Sequence, residues 1–323
     1  MPECFADDFS KSVGSLSEKE LIARFCAALK PCMPPAPVGA GDDCAVLKKS
    51  GFLSENILST SDAVILGRHF SADTPARLAG RKLLNRNISD IASMGGFPLF
   101  AMTSSIISPK ISIAWLEEFA RGLREAALEF GVKFIGGDVA SAGGDFFSMH
   151  LTLLGHAQKP LLRSGAKLGD RLFITGSLGA SFESGRHLSF CPRVKEGAYL
   201  ASSGYEISAC TDLSDGLASD IFDILSPCQS AEIFEEKIPI FNFAGNTLKK
   251  ALCDGEDYEL LFAVSNMSDT AAAAFAREFY ANTNCPVSEI GRISASENGK
   301  SELVIVDKNG AGRKFGLSGF SHF

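Results

Sequence analysis

Six short acidic segments recur along this chain of 323 residues, each beside an apolar run typical of a strand or a helix. They are Gly39-Ala-Gly-Asp-Asp-Cys44, Thr60-Ser-Asp62, Asn87-Ile-Ser-Asp90, Gly136-Gly-Asp138, Asp212-Leu-Ser-Asp-Gly216 and Gly255-Glu-Asp-Tyr258. Glycine lets backbone N–H groups approach a ligand closely, and carboxylates just beyond a buried strand point into the crevice at its end. We therefore expect a fold that gathers carboxylates where its strands and helices end.

Between these segments, strand-like and helix-like apolar patterns predict an α/β protein. Helices are predicted at 17–30, 74–94, 112–130, 193–203 and 269–280, and a further helix begins near Ser214. Strands are predicted at 44–47, 56–61, 100–107, 132–135, 146–154, 171–175, 207–211, 258–264, 287–293 and 303–306. A stretch rich in Pro, Gly and Lys at 158–169 indicates a domain junction. Because the chain exceeds the usual size of a single core, we expect two domains, 1–157 and 158–323.

Composition and charge indicate the cellular compartment and exclude some classes of partner. The chain carries 31 Lys and Arg against 38 Asp and Glu, a formal charge of −7, which argues against a nucleic-acid partner. The first residues show neither a basic nor an apolar stretch, so we expect no signal peptide, and the sequence has no apolar run long enough to cross a membrane. Its nine cysteines are scattered and include no C-x-x-C pair, so we expect a cytoplasmic protein without a disulfide framework.

The acidic segments predict a site for divalent cations. Carboxylates held close together raise one another's pKa unless a cation lies among them, and hard oxygen ligands favour Mg²⁺, which usually also binds substrate phosphates. Singly, each segment has an ordinary explanation: Gly-Asp-Asp is often a turn, Asp90 could be a solvated helix residue, and Asp215 could stabilise a helix N-terminus. Six in one chain favour the metal site. The sequence has no P-loop, Rossmann fingerprint, nucleophile elbow or H-E-x-x-H motif.

The order and spacing of these segments resemble one known family. With Arg163-Ser-Gly-Ala-Lys-Leu-Gly-Asp170 between them, they make the chain similar over nearly its whole length to the thiamine-monophosphate kinases. That family belongs to an ATP-binding superfamily with aminoimidazole ribonucleotide synthetase and selenophosphate synthetase.

The resemblance implies a two-domain fold like that of aminoimidazole ribonucleotide synthetase. Its N-terminal domain would bind ATP and Mg²⁺ and pair with a second copy through its sheet, giving a homodimer. Its C-terminal α/β domain would complete the active-site cleft. The implied reaction is direct in-line transfer of a phosphoryl group from ATP to thiamine phosphate, assisted by several Mg²⁺ ions and giving thiamine diphosphate. We expect no dedicated general base, because the acceptor phosphate is already largely ionised at neutral pH.

The resemblance also implies roles for individual residues. The family's metal positions fall on Asp43, Thr60, Ser61, Asp62, Asp90, Asp138, Asp212 and Asp215. Positions that contact ATP fall on Phe130, Gly137, Asp138, Arg163 and Ser214, and positions on the thiamine phosphate side fall on His69, Glu256 and Phe320. The candidates for a direct part in catalysis are Asp43, Asp62, Arg163 and Asp215.

Three places depart from the family's pattern, one of them Asp254, where a second Gly often precedes the Gly-Glu-Asp run. Where the family commonly reads Gly-Gly-Asp-Thr-Thr-Arg, this chain has Gly136-Gly-Asp-Val-Ala-Ser141, and Leu66-Gly-Arg-His-Phe70 replaces Glu-Gly-Val-His-Phe. Two alternatives therefore stay open. One is another ATP-using enzyme of the same superfamily, and the other is a nucleotide-binding sensor without turnover.

Overall fold

The computed structural model describes residues 43–47, 56–143 and 145–316. The predicted helix at 17–30 and the candidate Phe320 lie outside these residues. The described chain forms two sheets. The first sheet has five strands in the order β1-β2-β5-β3-β4, and only the β3–β4 pair is parallel. These strands are β1 (Ala45–Leu47), β2 (Asn56–Ile65), β3 (Phe97–Ile107), β4 (Lys133–Ser141) and β5 (Phe147–Ala157).

Two long helices, α1 (Ala76–Ser93) and α2 (Ile113–Phe130), pack together beside the first sheet. They cross closely at two glycines. A Cβ added to Gly80 would lie 2.0 Å from the carbonyl oxygen of Phe119, and one added to Gly122 would lie 1.9 Å from that of Arg77. Any side chain at either position would therefore push the helices apart.

The second sheet has seven strands in the order β12-β11-β8-β10-β6-β9-β7. Its strands are β6 (Arg171–Thr175), β7 (Ile207–Asp212), β8 (Gln229–Phe234), β9 (Leu260–Val264), β10 (Val287–Ala295), β11 (Glu302–Val306) and β12 (Gly312–Phe315). The associated helices are α3 (Arg186–Ser189), α4 (Val194–Ser202), α5 (Leu217–Ile224), α6 (Leu248–Cys253) and α7 (Asp269–Thr283). One apolar cluster includes residues of α5 and α6, another includes residues of α4 and α7, and β9 is buried along its whole length.

Helix α1 connects the two halves of the molecule. It contacts α3, α4 and β7 as well as the first sheet. A Cβ added to Gly197 of α4 would lie only 1.9 Å from the carbonyl oxygen of Ala92, so α4 crosses α1 almost backbone to backbone. A polar side chain on this part of α1 can therefore reach residues of both halves. Within the described residues, no helix is long and apolar enough to cross a bilayer.

Most of the predicted elements are present, and the exceptions have physical causes. The expected buried strand at 132–135 is wrong, because β4 is longer and exposed throughout. Strand β12 and helix α3 contain one apolar residue each, β8 begins with Gln-Ser, and α6 spans fewer than two turns, so the apolar pattern does not predict these four elements. Asp62 and Asp138 lie inside β2 and β4 rather than beyond strand ends, contrary to expectation. The domain boundary at 157/158 stays a prediction.

Candidate active site

Three carboxylates meet where the two halves of the molecule touch. Asp43 precedes β1, Asp90 lies on α1 and Asp212 ends β7, and each offers an oxygen within 4.8 Å of the others. Two hydroxyl groups fix this cluster. Thr60 Oγ1 donates to Asp90 Oδ2 at 2.5 Å, and Ser89 Oγ donates to Asp212 Oδ2 at 2.5 Å. Strand β2, helix α1 and strand β7 therefore all hold the acidic cluster in place.

The positive charge near the cluster does not offset the burial and repulsion acting on Asp90 and Asp212. Burial and the charge of Asp43 raise the pKa of Asp212 to about 7. Burial and the charge of Asp212 raise the pKa of Asp90 well above its ordinary value. Asp43 Oδ2 is buried and has no hydrogen-bond partner among the described residues. This combination of repulsion and an oxygen without a partner is what a divalent cation relieves.

Arg163 is the cation in direct contact with the cluster. Its Nη2 pairs with Asp43 Oδ1, and its Nη1 lies 3.4 Å from Asp223 Oδ2. Burial lowers the pKa of Arg163, but the charge of Asp43 and the hydrogen bond to it outweigh burial and raise it above its ordinary value. The guanidinium is therefore charged at every pH at which the protein folds, and it borders the acidic cluster.

A second arginine positions Asp62. Arg86 Nε lies 2.8 Å from Asp62 Oδ2, and Arg86 Nη1 donates to the carbonyl oxygen of Ala63 at 2.6 Å. The backbone N–H of Asp62 donates to Asn87 Oδ1 at 3.0 Å. The Asp62 side chain remains 31% exposed, whereas that of Arg86 is 8% exposed. Arg86 and Asn87 of helix α1 thus orient Asp62, while its carboxylate stays accessible to a ligand.

A buried polar group joins α1 to the second half of the chain. Lys82 Nζ lies 2.5 Å from Glu256 Oε2 and 2.9 Å from His187 Nδ1, and it donates to the carbonyl oxygen of His69 at 2.8 Å. Burial lowers the pKa of Lys82 to about 8. Burial would raise the pKa of Glu256, but the hydrogen bond to His187 and the charge of Lys82 outweigh it and lower the pKa to about 2. Both partners of the ion pair are therefore charged at pH 7.

The segment that carries Glu256 packs on the segment that carries Ser214 and Asp215. The backbone N–H of Glu256 donates to the carbonyl oxygen of Ser214 at 2.7 Å. Gly255 has φ +71°, and a Cβ there would lie 2.8 Å from the same carbonyl oxygen, so only glycine fits. The backbone N–H of Asp215 donates to Asp220 Oδ2 at 3.0 Å. Burial and the charge of Asp215 raise the pKa of Asp220 well above its ordinary value.

Other candidates lie away from this centre. Pairing in the first sheet places Gly137 level with Asp62 but on β4, beyond β5 and β3. Three strand spacings separate them by about 14 Å. Asp138 and Ser61 are exposed, and Phe130 packs against the apolar core. The roles of these residues stay predictions, because the described chain does not bring them to the acidic cluster.

Several residues of the site receive no role from the sequence, although Ser89 and Tyr258 stand inside two of the acidic segments. Lys82, Arg86, Ser89, His187 and Tyr258 are all buried around the centre. One available signal was the spacing of polar residues in α1. Positions 82, 86, 89, 90 and 93 form a polar stripe with helical periodicity between buried leucines and isoleucines. Such a stripe on a helix with two buried sides indicates a polar site rather than a solvated face.

Comparison with known proteins shows the family of this chain. Residues 41–157 match the family described as AIR synthase related protein, N-terminal domain. The thiamine-monophosphate kinase of Rhodopirellula baltica is 33% identical over 81% of this chain and 84% of its own. That of Salmonella typhimurium is 31% identical over 95% of this chain and 98% of its own. The chain belongs to the thiamine-monophosphate kinase family.

A solved structure extends the similarity to the whole fold. The structure described as AaThiL complexed with AMPPCP and TMP has a TM-score of 0.79 and 26% identity, covering 98% of this chain and 100% of that one. Members of the family are phosphotransferases by name, and the mixed α/β architecture with two sheets is theirs as well. The expected fold class and family are therefore confirmed.

Proposed function

We propose that this protein transfers a phosphoryl group from ATP to thiamine phosphate, giving thiamine diphosphate. The single observation that carries the proposal is the partly buried cluster of Asp43, Asp90 and Asp212, bordered by Arg163, on a chain whose structural relative is complexed with AMPPCP and TMP. Phosphoryl transfer depends on positioning and charge neutralisation rather than on a covalent nucleophile. A site made of acids, arginine and small polar side chains suits that chemistry.

Magnesium fits the donor set. The cluster offers three carboxylates within 4.8 Å of one another, one of them with a buried oxygen that has no hydrogen-bond partner within the described chain. We propose that Asp43, Asp90 and Asp212 hold Mg²⁺, and that Thr60, Ser61, Asp62, Asp138 and Asp215 contribute to further ions. When bound, Mg²⁺ neutralises phosphate charge and lets two anionic substrates approach each other.

The chain's own residues orient the reaction. Arg163 supplies a fixed positive charge beside the cluster and, with Ser214, Phe130, Gly137 and Asp138, is proposed to bind the nucleotide. Arg86 holds Asp62 in one orientation. On the acceptor side, His69, Glu256 and Phe320 are proposed to contact thiamine phosphate. No residue is assigned as a general base, because a phosphate monoester is already an anionic nucleophile at pH 7. The cytoplasmic location stays a prediction from the sequence.

We propose further that two copies pair through the first sheet. Strand β4 is an edge strand of nine residues, exposed throughout. It and the adjacent β3 present seven large apolar side chains to the surface: Phe97, Phe100, Met102, Ile106, Phe134, Ile135 and Val139. A long apolar edge of this kind is normally covered in a stable protein. A second copy of the chain would cover it.

Product formation tests the function directly. The purified protein is incubated with ATP and Mg²⁺ and either thiamine phosphate or thiamine, and thiamine diphosphate is measured by chromatography. We expect product from thiamine phosphate only. Product from thiamine alone would point to a different kinase reaction, and the Asp212→Asn variant serves as the inactive control.

The sensor alternative makes the opposite prediction. Its support is the departure from the family pattern after Asp138. A sensor would bind ATP with Mg²⁺ and give no product with either acceptor. Tight binding of ATP after complete removal of divalent ions would contradict the metal-dependent site in either case.

A further inference from the structure

The hydroxyl group of Tyr258 is buried without a hydrogen-bond partner among the residues that the structure describes. The residue is only 2% exposed. A buried polar group that makes no hydrogen bond is costly, and native proteins keep such groups mainly where a ligand uses them. The hydroxyl is therefore a candidate for a ligand contact.

The acidic side chains next to Tyr258, unlike its hydroxyl group, all have partners within the protein. Glu256 pairs with Lys82, Asp257 accepts from Ser181 Oγ, and Glu259 accepts from Arg193. All three acidic side chains around Tyr258 are thus bonded within the protein. The tyrosine hydroxyl is the exception within this segment, although it lies in the same buried layer.

Tyr258 lies beside the end of β7, because its backbone N–H donates to the carbonyl oxygen of Leu213, the residue after Asp212. Burial raises the pKa of Tyr258 well above its ordinary value, while Arg86 opposes the shift and Glu256, Asp62 and Asp212 add to it. The oxygen therefore lies within electrostatic reach of both the acidic cluster and Arg86. At neutral pH the hydroxyl keeps its proton and acts as a hydrogen-bond donor.

The backbone is strained so as to hold the ring in this orientation. Tyr258 has φ +51° and Glu256 has φ +53°, a left-handed conformation that is rare for large side chains. The backbone N–H of Tyr258 donates to the carbonyl oxygen of Leu213 at 2.8 Å, and its ring stacks on Phe190 with centroids 3.9 Å apart. Strain of this kind is concentrated at functional sites.

We propose that Tyr258 is a substrate-binding residue whose hydroxyl donates a hydrogen bond to a phosphate oxygen of a bound substrate. Arg86 balances the charge of Asp62 and Lys82 balances that of Glu256, so the charge of a bound phosphate is left to the cation that the acidic cluster would hold. Tyr258 thus lies beside a cation site, where a metal-bound phosphate belongs. The proposal rests on the proposed function for the identity of the phosphates.

The Tyr258→Phe variant separates this role from a structural one. It keeps the ring on Phe190 and removes a buried hydroxyl without a partner, so the melting temperature without ligand should stay the same or rise by up to about 4 °C. The kcat/KM should fall about 10- to 100-fold, the usual value of a hydrogen bond to a charged group. The control is Tyr205→Phe, whose hydroxyl bonds Glu278 at the surface and should not affect activity.

Separate kinetic arms identify the phosphate. A higher KM for thiamine phosphate assigns the contact to the acceptor, and a higher KM for ATP assigns it to the nucleotide. A lower kcat alone assigns it to the group in transfer. Unchanged kinetics, or a lower melting temperature without ligand, would overturn the proposal.

If the wild-type protein gives no product, the proposed function fails but Tyr258 can still be tested. The probes are then Mg²⁺ with AMPPCP and Mg²⁺ with inorganic phosphate, each followed by thermal shift. The proposal expects a smaller shift for Tyr258→Phe than for wild type with at least one probe. Equal shifts with both probes would overturn it.

Discussion

At the scale of single residues, repulsion between carboxylates destabilises the metal-free protein, and a bound cation would remove that repulsion. Asp90 and Asp212 are buried beside Asp43, and burial with mutual repulsion raises the pKa of the first two. Without a bound metal, this repulsion therefore lowers the free energy of unfolding of the protein. The same repulsion becomes affinity when a cation binds, because binding then removes an unfavourable interaction as well as adding a favourable one.

Replacing one carboxylate of the cluster tests whether repulsion in the metal-free protein becomes affinity for Mg²⁺. We expect Asp90→Asn to raise the metal-free free energy of unfolding by about 1 kcal/mol, because the amide keeps an oxygen for Thr60 and removes one charge. The stabilisation by Mg²⁺ should disappear, and kcat should fall at least about 100-fold. Thermal unfolding with and without Mg²⁺ measures the first two effects. Exposed Asp73→Asn is the control, and an unchanged Mg²⁺ shift in Asp90→Asn would contradict the assignment.

Sequence reasoning reached some of these residues and missed others for a physical reason. Asp43, Asp90 and Asp212 stand in motifs with glycine and small residues, so their role could be predicted before the geometry was known. Lys82 stands in a run that is typical of an ordinary helix, and Tyr258, although it ends the segment Gly255-Glu-Asp-Tyr258, is predicted only as the first residue of a strand. Their function depends on which side chains tertiary packing brings beside them, and no local pattern encodes that.

At the scale of elements, the site depends on how closely α1 is held. One side of α1 meets α2 through Gly80 and Gly122, and its end meets α4 through Gly197. The opposite polar stripe carries Asp90 to the cluster. The apolar periodicity of both helices predicts that they pack, but it does not predict contact at backbone distance, which depends on where the glycines face each other.

The Gly122→Ala variant should move α1 and weaken the site. The added methyl group would overlap the carbonyl oxygen of Arg77, so the helices must separate, at a cost of about 3 kcal/mol in unfolding free energy. Activity should fall as well, because Asp90 moves with the helix. Chemical denaturation and turnover measure both effects. Gly143→Ala, where a Cβ meets no atom within 4 Å, should change neither. Wild-type stability in Gly122→Ala would rule out this close crossing.

At the scale of the whole molecule, the buried ion pair of Lys82 and Glu256 helps to hold the two halves together. Lys82 of α1 and Glu256 of the second half are 0% and 4% exposed. Removing one partner leaves the other charge buried, which is far more costly than removing an exposed ion pair. The position of Glu256 in the site therefore depends on how the two halves are placed relative to each other.

This ion pair gives stability a defined dependence on pH. The pKa of Glu256 is about 2 in the folded protein, below its ordinary value, so its contribution is complete above pH 4.5 and is lost as pH falls towards 2. The full contribution is roughly 3 kcal/mol. Urea unfolding between pH 6 and pH 3 should show a steeper loss for wild type than for Glu256→Gln. The exposed Glu297→Gln should follow wild type, and parallel curves for all three proteins would contradict the buried pair.

The apolar edge of the first sheet gives the largest-scale prediction. Ile135 is 55% exposed on β4, and an aspartate there would place a charge in the centre of the proposed interface. Light scattering after size exclusion should give wild type twice the 34.3 kDa mass of one chain and Ile135→Asp a single chain. Ile113→Asp, at a 78% exposed position on α2, should remain dimeric. Gly137 and Asp138 lie on the same strand and are proposed to bind the nucleotide, so a change that disturbs this edge should also lower activity. Ile135→Asp should then lose activity together with the dimer. An active monomer would show that catalysis does not need the second copy.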